Sequence, residues 1–289
     1  MNRHYHSSRE GQYALNVDPQ KAEWKYVSFK VVNLRPGEKL EAETGSEEVV
    51  FVPLVGRGTL SFDGKSYELH RKDLFRNRPD IAYLPPKTSY TLEAIDALEI
   101  ALGGAPAEGK LPARIIPHDK IVTAVRGGAN SKRGVSTLAD ADELTERLTV
   151  YEIHTPSGNW SSFPPHRHDT RDNSSYHEET YYYRFQPEDG FAIQRIYTRD
   201  TDLDVAIPVQ HGDVVLIHED YYPVLKAPGT NAYCLNVLAG DVRKISAIND
   251  PHYDFIAPEG PQDFSPGFQP WEPPTRLTRP ERAPDHCYK

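Results

Sequence analysis

The chain has 289 residues, of which 38% are hydrophobic and 26% charged; that is enough for a packed core and excludes a wholly disordered chain. With 33 basic and 42 acidic side chains the formal charge is −9, which argues against a nucleic-acid backbone as partner. No apolar run approaches the roughly 20 residues that span a bilayer, the N-terminus MNRHYHSSREGQY lacks the apolar stretch of a secretory signal, and two cysteines, Cys234 and Cys287, make no disulfide framework, so a cytoplasmic protein without membrane partners is expected.

In chain order, residues 1–25 read as a polar N-terminal extension. From Val27 the pattern becomes short strands separated by turns: VSFKVVNL (27–34), EEVVFVPLV (47–55), a break at Gly56-Arg57-Gly58, then TLSF (59–62). Asp63-Gly64 is a strong hairpin signal, and KSYEL (65–69) returns from it. IAYLP (81–85), SYTLEAI (89–95) and ALEIALG (97–103) continue the alternation. Strands at intervals of about 8–12 residues predict a sandwich or small barrel over 26–123.

Residues 124–147 read as a connector, with a basic, glycine-rich loop (125–138) and a helical candidate ADADELTERL (139–148) starting near Asp140. A second β pattern fills 148–257: LTVYEIHTP, EETYYYRFQ, FAIQRIYT, DVAIPV, GDVVLI and AYCLNVLAG. Comparable length and strand spacing in the two halves predict a structural duplication, two tandem β-barrels with little helix. Residues 258–289 are proline-rich and aperiodic, and predict a tail packed on the body only at Phe264, Phe268 and Trp271.

The chemistry concentrates at FPPHRHD (163–169) and YHEETY (176–181). His166 and His168 on extended chain point to one side, so they can chelate one ion. Two preceding prolines stiffen that segment. A carboxylate from the next strand adds an oxygen ligand, and imidazole with carboxylate suits Mn, Fe, Zn or Ni. Glu178 and Glu179 face opposite sides of a strand, and spacing alone does not choose between them. Set against this, the histidines sit among Arg167, Asp169, Arg171 and Asp172, as surface residues would. Tyr183, Arg184, Gln194, Arg195, Tyr197 and Asn236 lie on predicted strands; an inward arginine can clamp a carboxylate bidentately, while an outward one pairs with neighbouring acids. His154 and His211 read as strand-end residues, and His252 as closing a barrel mouth. His4, His6, His70, His118 and His286 have no clustered partners in the sequence.

His166-x-His168 before a Glu-led strand resembles the first cupin motif, and GDVVLI (212–217) running to Tyr222-Pro223 and Asn236 resembles the second. GNWSSFPPHRHD (158–169), EETYYYRF (178–185), LNVLAG (235–240), LRPGEKLEAETGSEEVVFVPLVGRGTLSFDG (34–64) and RGGANSKRGV (126–135) resemble the 5-deoxy-glucuronate isomerase family of bacterial inositol catabolism over roughly residues 25–255. The resemblance implies a bicupin whose second barrel binds a divalent metal and whose first barrel is structural. It assigns the carboxylate ligand to Glu179 and the fourth ligand position to Tyr222, where the family has histidine. His218, four residues earlier, is the alternative.

The implied substrate is a sugar acid, 5-deoxy-D-glucuronate, converted to 5-dehydro-2-deoxy-D-gluconate by moving a proton between C2 and C1. With Glu179 a ligand, Glu178, a tyrosine such as Tyr183, or a hydroxide on the metal remains as base. Arg184, Arg195, Gln194 and Asn236 are the expected substrate contacts, and a homo-oligomer is expected. Two other classes share these residues: a metal-dependent cupin oxygenase, and a non-catalytic sugar-binding or regulatory bicupin whose site is degraded at Tyr222.

Overall fold

Asp63 and Gly64 take φ of 50° and 71°, the left-handed pair that a two-residue hairpin turn needs. They join the strands Glu47–Phe62 and Lys65–Arg71, with Phe62 opposite Lys65. These elements belong to a computed structural model that describes residues 2–8, 10–140, 144–170, 174–253 and 262–263.

The break expected at Gly56-Arg57-Gly58 is instead a bend within one 16-residue strand. Its first half pairs with Ile81–Leu84 and Leu98–Pro106, its second with Lys65–Arg71 and Ser89–Ala94. At the bend Gly56 has φ +93°, and a Cβ there would lie 1.9 Å from the Ala97 carbonyl oxygen. Only glycine lets the strand turn from one side of the barrel to the other. Phe51, Leu60, Leu69, Leu84, Leu92 and Ile100 fill this first barrel.

The second barrel curls an eight-stranded sheet over a four-stranded one. At the centre of the large sheet, His177–Gln186 lies between Val214–Ile217 and Asn231–Gly240, and Thr149–Thr155 follows beyond. The small sheet orders Trp160–Ser161, Val224–Lys226, Ala192–Tyr197 and Asp204–Val209. Tyr181, Tyr183, Phe185, Ile196, Tyr222 and Cys234 pack inside. A third cluster, including Phe29, Val50, Val52, Tyr182, Leu235 and Val237, joins the outer faces of the two large sheets. The expected pair of tandem β-barrels is therefore the fold.

Three expectations change. Residues 1–25 are built into both barrels: His4–Tyr5 pairs with Val214–Val215, and Tyr13–Val17 pairs with Ser28–Leu34. After Tyr13–Val17 comes a one-turn helix, Pro19–Ala22, capped by Asp18. The expected connector 124–147 supplies a hairpin, Val122–Arg126 and Arg133–Ala139, to the second barrel's sheet. Both faces of Arg133–Ala139 are covered, Val135 in the second barrel's interior and Leu138 in the cluster between the barrels, and the strand pairs with Thr149–Thr155. The helical candidate over 139–148 is not a helix where described: Ala139 ends a strand and 144–148 form a turn, while 141–143 lie outside the described residues. The tail expectation for 258–289, with Phe264, Phe268 and Trp271, also lies outside them, apart from Gln262–Asp263, which pairs with Ala124 and Val125. Among the described residues no helix is long and apolar enough to cross a membrane.

Candidate functional site

Strand alternation separates the two glutamates that spacing could not. Glu179 shares its face with Tyr181 and Tyr183, which pack in the interior of the second barrel. Glu178 faces outward with Tyr182. There its carboxylate accepts the backbone N–H groups of Lys25, Tyr26 and Val27 at 2.7, 2.8 and 2.8 Å, and the Tyr176 hydroxyl at 3.2 Å. An acid fully engaged on that side of the sheet has no path to the interior, so the candidate base Glu178 is a structural anchor.

Inside the barrel, His168 Nε2 lies 3.1 Å from Glu179 Oε2 and 2.8 Å from the Tyr222 hydroxyl. Glu179 Oε1 accepts from Asn236 Nδ2 at 2.5 Å. The His166 ring stands edge-on to Tyr222 at 4.9 Å. The structure thus brings His168, Glu179, Tyr222 and Asn236 into one cluster with His166 beside it. His166 is not drawn into a set with His168 and Glu179 whose ligand atoms lie within 4.8 Å of one another. His218 points elsewhere: its Nε2 donates to the Ala22 carbonyl at 3.0 Å and its ring packs on Trp24. It is not the fourth member.

The donor chemistry fits a divalent cation. His168 Nδ1 faces the carbonyl of His177 at 2.8 Å, and His166 Nδ1 that of Pro164 at 3.3 Å. A carbonyl only accepts, so Nδ1 carries the proton in both rings, and each Nε2 presents a lone pair. His168 Nε2 and the Glu179 carboxylate are then two acceptors 3.1 Å apart, an arrangement that calls for a proton or a cation between them. Burial and the neighbouring His168 push the His166 pKa down to about 4, which keeps its imidazole neutral, as a metal ligand must be. Burial, with Glu179 next, raises the Tyr222 phenol well above its ordinary value, so it keeps its proton.

The remaining expected residues divide by face. Tyr183 donates to Gln194 Oε1 at 2.8 Å, deeper in the barrel. Arg184 lies outside, against Glu99 of the first barrel, Tyr182 and His211. Arg195 is half exposed and clamps Asp204 at 2.6 and 2.7 Å. Neither arginine reaches the cluster, because alternation turns Gln194 in and Arg195 out.

Two cations on the inner side of the second barrel were passed over by sequence reasoning. Lys226 is fully buried, donates to Ser161 Oγ at 2.6 Å and lies 5.8 Å from the Tyr183 ring centroid. Burial lowers its pKa to about 8. Arg133 donates to the carbonyls of Ser131 and Phe163 at 3.0 and 3.4 Å, and its charge acts on His166, Tyr181 and Lys226. The basic loop 125–138 was the available signal for Arg133; a single lysine ending a three-residue strand gave none. Cys234 is buried with its thiol pushed up to about 11, so it offers no thiolate.

A second ligand cluster was also missed. Among the described residues, the one trio of His, Cys, Asp or Glu with ligand atoms all within 4.8 Å is His4, His6 and Asp213. His4 and His6 do have a clustered partner, Asp213, 209 and 207 residues away in sequence.

A family model described as the KduI/IolB family matches residues 1–256. The chain belongs to the KduI/IolB family. A 5-deoxy-glucuronate isomerase of Geobacillus kaustophilus is 39% identical over 257 residues, covering 87% of this chain and 93% of the relative. The crystal structure of an IolB-like protein from Salmonella typhimurium LT2 superposes with a TM-score of 0.85 at 33% identity, covering 89% of this chain and 99% of that one. An oxalate decarboxylase of Lactobacillus farciminis, in a formate complex, superposes with a TM-score of 0.61 at 13% identity over 86% of this chain and 88% of its own. That distant likeness extends to the fold alone: two barrels in tandem, the cupin architecture. Members of this family named for their activity are isomerases, and the chain is an enzyme of that family.

Proposed function

We propose that this chain is a metal-dependent aldose–ketose isomerase that converts 5-deoxy-D-glucuronate to 5-dehydro-2-deoxy-D-gluconate; its relatives are named 5-deoxy-glucuronate isomerase. The observation that carries the reading is the pair of buried acceptors, His168 Nε2 and Glu179 Oε2, 3.1 Å apart with the Tyr222 hydroxyl beside them. His166, His168, Glu179 and Tyr222 would hold the cation, and Mn, Fe, Zn and Ni all suit such donors. When bound, it supplies Lewis-acid polarisation of the substrate carbonyl.

The chain's own groups supply the rest. The reaction moves hydrogen within one molecule: C1 gains it as the aldehyde becomes an alcohol, and C2 loses it as the alcohol becomes a ketone. Asn236 holds Glu179 in place. The phenols of Tyr181 and Tyr222 keep their protons, so they can donate hydrogen bonds to sugar oxygens. Arg133 and Lys226 are the cations suited to the carboxylate at the far end of the sugar. The surrounding tyrosines and aliphatic side chains exclude water, which strengthens each of these polar contacts.

The test is ketose formation from 5-deoxy-glucuronate by the metal-loaded enzyme, with oxygen consumption followed alongside. Turnover without oxygen uptake is expected, and Arg133→Ala should raise KM more than it lowers kcat. Oxygen-dependent turnover, or metal binding without turnover of this substrate, would contradict the proposal.

A further inference from the structure

The His4–His6–Asp213 cluster lies where His4–Tyr5 forms the outermost strand of the second barrel's sheet, and it takes no part in the chemistry above. His4 and His6 are two residues apart on extended chain and present their rings together, with centroids 4.4 Å apart. Asp213 receives them symmetrically: Oδ2 meets His4 Nε2 and Oδ1 meets His6 Nδ1, each at 2.8 Å. The carboxylate is buried, its Oδ2 also accepts the Gln210 N–H at 2.8 Å, and the imidazoles are half-buried and exposed in turn. Two imidazoles and one carboxylate with an open side are the donor set of a borderline divalent ion.

An independent feature shows that the chain is fitted for the N-terminal segment at this point. Gly212, next to Asp213, has φ +88°, and a Cβ there would lie 2.3 Å from Ser7 Oγ. The segment is also held by the Leu216 N–H donating to the Arg3 carbonyl at 2.8 Å and by the Arg3–Asp220 ion pair at 3.0 Å. His4–Tyr5 thus covers an edge strand, Val214–Ile217, whose other side pairs with the strand carrying Glu179.

We infer that His4, His6 and Asp213 form a second, accessory site for a divalent transition ion such as Zn²⁺, which clamps the N-terminal strand onto the edge of the second barrel. Water fills its remaining positions. The ion ties residues 2–8 to the turn at Gly212-Asp213 and so protects the sheet edge from opening.

The test uses the full-length chain stripped with chelator and dialysed against Zn²⁺, with bound metal counted for wild type, the His4→Gln/His6→Gln double variant and His168→Ala. The double variant should bind one equivalent fewer than wild type, whereas His168→Ala keeps that equivalent. Zn²⁺ should also slow amide hydrogen exchange over residues 2–8 in wild type and His168→Ala but not in the double variant. Equal zinc in wild type and the double variant, or exchange over 2–8 that ignores Zn²⁺, would overturn the inference. Neither readout depends on isomerase activity.

Discussion

Tyr222 is the residue on which the chemistry turns. Its hydroxyl bonds His168 at 2.8 Å while its ring packs on His166 and Tyr181. Removing only the oxygen should weaken divalent-metal binding by about 10- to 100-fold, whereas Tyr222→His should tighten it. Competitive titration with a chromogenic chelator measures both; unchanged affinity in Tyr222→Phe would mean the phenol is only packing. Lys226 gives a second prediction. Its pKa in the folded protein is lowered to about 8 by burial. An ammonium that anchors the substrate carboxylate is present below that pH and lost as pH rises through it. The kcat/KM of the wild type should therefore be flat on the acid side and fall above pH 8, and Lys226→Arg, which stays charged, should carry the plateau to higher pH. A wild-type profile level through pH 9.5 would contradict the anchor role.

Between strands, one arrangement occurs twice. Glu48 accepts the backbone N–H groups of Glu146, Arg147 and Leu148 at 2.6, 2.7 and 2.8 Å, as Glu178 accepts those of Lys25, Tyr26 and Val27. Each barrel holds the chain entering a strand of the other's large sheet, Ser28–Leu34 for Glu178 and Thr149–Thr155 for Glu48. Glu178→Ala leaves these donors without their acceptor and should cost about 3 kcal/mol, or a fall in Tm of roughly 6–12 °C for a chain of this size, with kcat of the surviving enzyme unchanged. Thermal denaturation and steady-state kinetics on one preparation decide it: a lost kcat at an unchanged Tm would return Glu178 to catalysis. The same correspondence sets Val49 opposite Glu179. An apolar side chain thus occupies the first barrel's equivalent of the Glu179 position, so the proposed metal centre has no counterpart there.

Much of the molecule was legible because its signals are local. Asp63-Gly64 marked a hairpin, alternation marked the barrels, and His166-x-His168 with the Glu178-Glu179 pair marked the site. What stayed hidden depends on contacts distant in sequence. The Gly56 bend answers to Ala97, the inward turn of Lys226 to Ser161, and the pairing of His4 and His6 to Asp213. Arg184 and Arg195, the expected substrate contacts, each follow an inward residue, Tyr183 and Gln194, and alternation turns both arginines out to acids. The N-terminal extension read as polar and irregular because it contributes edge strands, which need not alternate cleanly.

At the scale of the whole molecule, two barrels share an apolar interface and one of them encloses the polar cluster that the isomerase reading requires. The most direct test is the initial rate of ketose formation from 5-deoxy-glucuronate as chelator-stripped enzyme is titrated with Mn²⁺, for wild type and Glu179→Gln in parallel. The rate should start near zero, rise to a plateau as wild type takes up metal, and stay near zero throughout for Glu179→Gln. Stripped wild-type enzyme turning over at the loaded rate, or Glu179→Gln matching wild type, would contradict a catalytic metal held at His166, His168, Glu179 and Tyr222.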